Sequence, residues 1–172
     1  RPLTRTLAAN GVTANQITNA ALLLSVLTGL AVAYWSTTPA IFFLVPVVMF
    51  LRMALNAIDG MLAREHNMKT ALGTFLNELS DVIADVALYL PFALVAPLQP
   101  VLVVAVVIAA IISEMAGVVA VQVGASRRYD GPMGKSDRAF VFGALALILA
   151  LDLPLGNWLN IALSGVLLLL LV

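Results

Sequence analysis

The chain has 172 residues, 62% of them hydrophobic and 10% charged, with nine Lys and Arg against nine Asp and Glu. A soluble domain carries about 25% charged residues, so this composition excludes a water-facing globule, and zero net charge gives no basis for binding nucleic acid. The mean hydropathy of +1.06 points to a bilayer as solvent, and a chain without Cys leaves the redox compartment open.

In chain order, the segment "RPLTRTLA" at 1–8 reads as a short amphipathic helix lying on the membrane surface. Apolar stretches follow at 17–35, 40–60, 73–93, 100–124, 138–152 and 157–172, most of them near the roughly 20 residues of a spanning helix. The first is followed by others, so it reads as a span and not as a cleaved signal. The last is short, which leads us to expect further chain beyond Val172. Turn formers mark the breaks: "STTP" at 36–39, "PLQP" at 97–100 and "DLPLGN" at 152–157. Loops this short imply antiparallel neighbours in one bundle. Isolated strands are excluded, because their edges would stay unpaired in lipid. The expected fold is an all-α integral membrane protein, a six-transmembrane-helix bundle with a short N-terminal interfacial helix, in a single domain over 1–172.

Charge fixes the expected orientation. Arg1, Arg5, Arg64, Lys69, Arg127, Arg128, Lys135 and Arg138 all fall on one side of such a bundle. The positive-inside rule puts that side, with the N-terminus, in the cytoplasm.

The polar residues are regularly placed. Asn56 and Asp59 are three apart near the cytoplasmic end of the second span, hence on one helix face. Gly60 and Ala63 lie beside them, and small residues let a ligand or a helix approach closely. In the third span Gly73, Asn77, Asp81 and Asp85 are each four apart, forming a second stripe. Antiparallel neighbours can turn the two stripes together into a cluster of hard oxygen ligands at one membrane face. That chemistry suits Mg²⁺ or Mn²⁺. Polar residues that merely pack helices are the alternative, but intramembrane acids are costly and mark functional sites.

The string Asn56-x-x-Asp59-Gly60-x-x-Ala63-Arg64, followed by Gly73-x-x-x-Asn77-x-x-x-Asp81, resembles the signature of the CDP-alcohol phosphotransferases. "VTANQIT" at 12–18 is similar to the family's entry to its first helix, with Ala14 where Pro is usual. "GPMGKSDRA" at 131–139 is similar to a basic loop of phospholipid-making bacterial members. The resemblance covers essentially the whole chain. It implies metal ligands at Asn56, Asp59, Asn77 and Asp81, with Asp81 as general base. It implies a CDP site at Gly60, Ala63, Arg64 and Gly73, with Asn15 and Thr18 from the entry motif. The implied reaction transfers a substituted phosphate from a CDP-alcohol, CDP-diacylglycerol foremost, to a small hydroxyl acceptor, with release of CMP. The implied setting is the bacterial inner membrane and the implied assembly a homodimer, for which the third and fourth spans hold small residues such as Gly73, Ala84, Ala87, Ala109, Ala110 and Gly117.

One departure stands out. The family has Asp at all four acidic positions, whereas Asn56 and Asn77 occupy the first and third here. Asn ligates through its carbonyl oxygen but brings no charge. The four positions carry −2 instead of −4, which leaves open whether one or two ions bind, and whether the chain is an active enzyme or a silent binder of CDP-lipid. A small transporter would also carry intramembrane acids, but would not need the Gly and Ala-Arg spacings.

Two further groups of charge call for partners. Arg127, Arg128, Lys135 and Arg138 lie within twelve residues. They either bind the phosphate of a phosphorylated acceptor or form a positive-inside loop attracted to lipid headgroups. His66 reads as a solvated loop residue. Arg52 lies inside the second span, where an unpaired cation is expensive. Stepping seven residues along both antiparallel helices from the motif puts Asp85 level with it, roughly 10 Å deeper. An Arg52–Asp85 ion pair is therefore expected, with Glu114 as the alternative partner.

Overall fold

The computed structural model describes residues 1–124, 132–154 and 156–172; Arg127 and Arg128 lie outside them. In hydrocarbon every backbone donor and acceptor must be satisfied within its own segment, and a helix does this. The chain accordingly forms α1 (Pro2–Ala9), α2 (Ala14–Tyr34), α3 (Leu44–Glu65), α4 (Ala71–Tyr89), α5 (Pro100–Gln122), α6 (Lys135–Ala150) and α7 (Trp158–Leu170). No strand occurs among the described residues. A 3-10 turn at Pro39–Phe43 leads into α3, and another at Leu90–Leu94 leads out of α4.

Local chemistry sets the helix starts. Thr13 caps α2: its hydroxyl accepts from Gln16 N at 3.3 Å while Gln16 Oε1 accepts from Thr13 N at 2.9 Å, a reciprocal capping box. Thr70 Oγ1 accepts from Gly73 N at 2.9 Å and starts α4. Pro100 opens α5, where its missing N–H costs nothing. Asp137 Oδ2 accepts from Gly134 N at 2.9 Å, so α6 begins at Lys135, three residues before the expected 138.

Six helices stand where six spans were expected. Three segments are long and apolar enough to cross a membrane: Ala14–Tyr34, Pro39–Glu65 and Pro100–Gln122. Helix α4 carries Glu78, Asp81 and Asp85, which interrupt its apolar run. Helices α6 and α7 have 16 and 13 residues, short of the roughly 20 for a straight crossing. The N-terminal segment is helical, and Arg1 Nε lies 3.6 Å from Glu65 Oε1 at the end of α3.

Helix α2 is the hub, packed along both α3 and α4. The approach to α4 depends on Gly29. A Cβ there would collide with the Ala87 backbone carbonyl, so even Ala forces the helices apart. Gly29→Val is expected to destabilise the fold by about 1–3 kcal/mol, read as a lower melting temperature in detergent; an unchanged melt would show that the two helices separate freely. Other small residues are also used inside the chain, since Ala84, Ala109, Ala110 and Gly117 are buried.

The apolar core gathers side chains from α2 to α7. Phe142 stacks on Tyr89 at 4.0 Å between centroids and meets Phe92 edge-on at 5.4 Å, within a cluster that includes Val32, Phe42, Val103, Leu145 and Leu163. Buried Asn160 ties α7 to the α4–α5 connection: its Nδ2 donates to Pro97 O at 2.9 Å and its Oδ1 accepts from Gln99 N at 2.8 Å. The outer surface is apolar instead of polar, with Leu30, Phe50 and Ile112 all more than 60% exposed, as a lipid-facing helix bundle requires.

Candidate active site

The start of α2, the C-terminal half of α3 and the N-terminal half of α4 converge. Thr18 Oγ1 donates to Asp59 Oδ2 at 2.7 Å and lies 3.2 Å from Ala14 O. Thr18 and Asp59 are 6% and 5% exposed, so the hydroxyl, with the Gly60 backbone, holds a desolvated carboxylate. Thr18→Val keeps the shape and removes the donor. It is expected to cost about 1–3 kcal/mol, read as a lower melting temperature in detergent; a variant as stable as the parent would mean water replaces the hydroxyl.

Glycine brings two more predicted residues together. A Cβ on Gly73 would lie 2.8 Å from Asn15 Oδ1, so the absence of a side chain lets the Asn15 amide rest on the first turn of α4. A Cβ on Gly60 would lie 3.2 Å from Arg64 Nη1; the guanidinium folds back over α3. Ala63 is half-buried between them and the helix end.

Asp81 receives more bonds than any other motif residue. Asn56 Nδ2 donates to its Oδ1 at 3.0 Å, and Arg52 Nη2 donates at 3.0 Å to both that oxygen and the Asp81 backbone carbonyl. Lys135 Nζ lies 2.5 Å from the other oxygen, Oδ2. Arg52 also pairs with Asp85 through Nη1. The Asn77 amide makes no side-chain bond among the described residues; its backbone carbonyl accepts from Ser80 Oγ at 3.1 Å.

Charges continue inward from there. Asp85 Oδ2 is 4.0 Å from Arg138 Nη2, and Arg138 pairs with Glu114 while its Nη1 donates to Met133 O at 3.3 Å. Glu114, expected as the alternative partner of Arg52, serves Arg138 instead. Arg138, a candidate for an acceptor's phosphate in the sequence, is 1% exposed and pairs with Glu114, bracing α6 against α5. His66 also differs from expectation. It ends α3 half-buried, with Nε2 shielded from solvent and without a hydrogen-bond partner among the described residues.

The contact of Lys135 with Asp81 was not foreseen. The two residues are far apart in sequence, and no periodicity links a loop to a helix stripe. The one available signal was an acid needing compensation beside a loop rich in cations.

An apolar groove of about 570 Å³ runs between α3 and α6. Met49, Phe50, Met53, Phe140 and Leu147 line its length, while Arg52, Asn56, Asp85, Lys135 and Ser136 form its polar end. It has the amphiphilic profile of a lipid, with a tail along the helices and a head at the motif.

The donor set fits a divalent cation at reduced charge. Among the described residues no group of three or more Asp, Glu, His or Cys is arranged to hold a metal. The site instead offers hard oxygens of mixed charge: carboxylates on Asp59 and Asp81, and amide carbonyls on Asn56 and Asn77. Thr18 occupies only one oxygen of Asp59.

Residues 11–171 match the family model described as CDP-alcohol phosphatidyltransferase. The chain is 49% identical over 150 residues to the inner membrane protein YnbA of Escherichia coli (strain K12), covering 87% of this chain and 74% of that one. Its fold is that of the Mycobacterium tuberculosis phosphatidylinositol phosphate synthase PgsA1. The structure of that enzyme with CDP-DAG bound aligns with a TM-score of 0.77 at 21% identity, over 99% of this chain and 85% of that one. Its complex with manganese and citrate aligns at 0.75 and 20%, over 99% and 81%.

Proposed function

The chain belongs to the CDP-alcohol phosphatidyltransferase family, an enzyme family, and on that premise we propose that it moves a phosphatidyl group from CDP-diacylglycerol to a small hydroxyl acceptor, releasing CMP in phospholipid synthesis. The observation that carries this reading is the groove between α3 and α6, apolar along its length and ending at Arg52, Asn56 and Lys135, which all bond to Asp81. The diacylglycerol tails lie along Met49, Met53 and Leu147, and the diphosphate reaches the motif. Asn15, Thr18, Gly60, Ala63, Arg64 and Gly73 surround the nucleotide, where Gly73 leaves room beside the Asn15 amide.

A bound Mg²⁺ or Mn²⁺ would neutralise charge developing on the phosphates, and the resemblance gives Asp59, Asp81, Asn56 and Asn77 as the set of residues that would hold it, Asp59 foremost. The protein's own part is positioning and proton transfer. Lys135 turns from Asp81 Oδ2 to an oxygen of the transferred phosphate. That carboxylate oxygen then takes the acceptor's hydroxyl proton as the new P–O bond forms and the bond to CMP breaks. Arg52 keeps Asp81 aimed by holding its Oδ1 and backbone carbonyl. The cluster of cations read in the sequence also gives Lys135, with Arg127 and Arg128 outside the described residues, a role towards a phosphorylated acceptor. In this reading the protein lies in a bacterial inner membrane as one domain, with α1 on the surface, the motif end cytoplasmic, and two copies per assembly. A monomer mass at all concentrations in gentle detergent would remove the last element.

CMP release from CDP-diacylglycerol by the purified protein with Mg²⁺ or Mn²⁺, measured with and without candidate acceptors, tests the proposal. Binding of the lipid without release would favour the silent-binder reading, which the two Asn and the cation-covered Asp81 support.

A further inference from the structure

Resting on that reading, we propose that the site works with one divalent ion, held from the Asp59 side, and that Lys135 supplies the positive charge a second ion would bring. Three acids line the two stripes, and they are not equivalent. Asp81 is paired with Lys135 and Arg52, and Asp85 with Arg52, with Arg138 at 4.0 Å. Asp59 has no ion-pair partner among the described residues: it accepts from the neutral Thr18 hydroxyl and the Gly60 backbone, with Arg64 the nearest attractive charge. Charge supplied by the chain is therefore concentrated at Asp81, and negative charge left for an external cation is concentrated at Asp59.

Asn56 supports the same division. It donates an Nδ2 hydrogen to Asp81 Oδ1 at 3.0 Å, one more donor on the carboxylate that Arg52 and Lys135 already hold. Two divalent ions bring +4 to four motif positions that here carry −2. One ion brings +2, and Lys135 adds a tethered +1 within reach of the phosphate. A divalent ion placed at Asp81 would also stand beside two fixed cations, and like charges at such spacing repel strongly in a partly buried site.

Counting bound Mn²⁺ by electron paramagnetic resonance on the purified full chain in detergent, with CDP present, tests this without turnover. The parent is expected to bind one Mn²⁺ per chain, and Asp59→Asn none. Lys135→Gln uncovers Asp81 and is expected to tighten Mn²⁺ binding by about tenfold or more, whereas Lys135→Arg keeps the charge and the parent affinity. Adding Asn56→Asp and Asn77→Asp to Lys135→Gln is expected to raise the count to two. Two ions in the parent, none, or a Lys135→Gln variant with unchanged affinity would each overturn the proposal. The parent count needs no variant to fold. Two ions with CMP still released would leave the transferase reading standing, and one ion without CMP release would sink that reading but not this one.

Discussion

Asp81→Asn is expected to slow CMP release by about a thousandfold, within the range that loss of a positioned general base produces, while the protein remains folded. The geometry argues for this separation. Asn has the shape of Asp, and its amide oxygen can still accept from Arg52 Nη2 and Asn56 Nδ2, both 3.0 Å from Oδ1. What disappears is the oxygen facing Lys135, the one able to take a proton. The Lys135 side chain is 35% exposed, so leaving it unpaired costs little stability. The measurement pairs CMP release with thermal melting in detergent. Full turnover in this variant would remove Asp81 from the chemistry; loss of folding together with turnover would make it a structural acid.

Arg52→Leu is expected to have the largest effect on stability. Arg52 is 7% exposed and its fork makes three bonds, to Asp85 Oδ1, Asp81 Oδ1 and the Asp81 carbonyl. Removing one partner from a buried pair strands the other charge, at a cost of about 3–5 kcal/mol. Arg52→Lys should recover part of this loss, because a single ammonium cannot span both acids as a planar fork does. Arg52→Leu with Asp85→Asn should melt higher than Arg52→Leu alone, since the stranded charge is gone. If the single variant melts with the parent, water or a neighbouring cation already solvates Asp85, and the pair is ornamental.

Much of this site was legible because it lies on helices. Residues 56 and 59, and 73, 77, 81 and 85, repeat at helical spacing, so their faces follow from 3.6 residues per turn. Antiparallel register then brings Arg52 level with Asp85, and the two meet. Sequence reasoning weakened where contacts depend on chain reversal. Lys135 reaches Asp81 only because the Gly134–Asp137 bond starts α6 earlier than its apolar run. Arg138 looked like one more cation of an exposed basic loop, but one turn of extra helix carries it into the bundle, where it meets Glu114. The span count was illegible for a related reason. Acids that serve a site make α4 too polar, and short helices make α6 and α7 ambiguous, by any rule that asks only for length and apolarity.

The alternating series Lys135, Asp81, Arg52, Asp85, Arg138, Glu114 has a consequence for how the protein is made. A buried charge is costly alone in lipid, about 2.5–3.5 kcal/mol for Arg or Asp at mid-bilayer, and in every pair one member leaves the ribosome before the other. Arg52 arrives ahead of Asp81 and Asp85, Glu114 ahead of Arg138, and Asp81 ahead of Lys135. Helices α3, α4 and α5 thus enter the membrane carrying uncompensated charge, which closes only when the start of α6 has been synthesised. That order favours joint release of the helices over independent release of one finished helix after another. Nascent chains halted before Lys135 are expected to stay beside the translocation machinery longer than chains that include the head of α6.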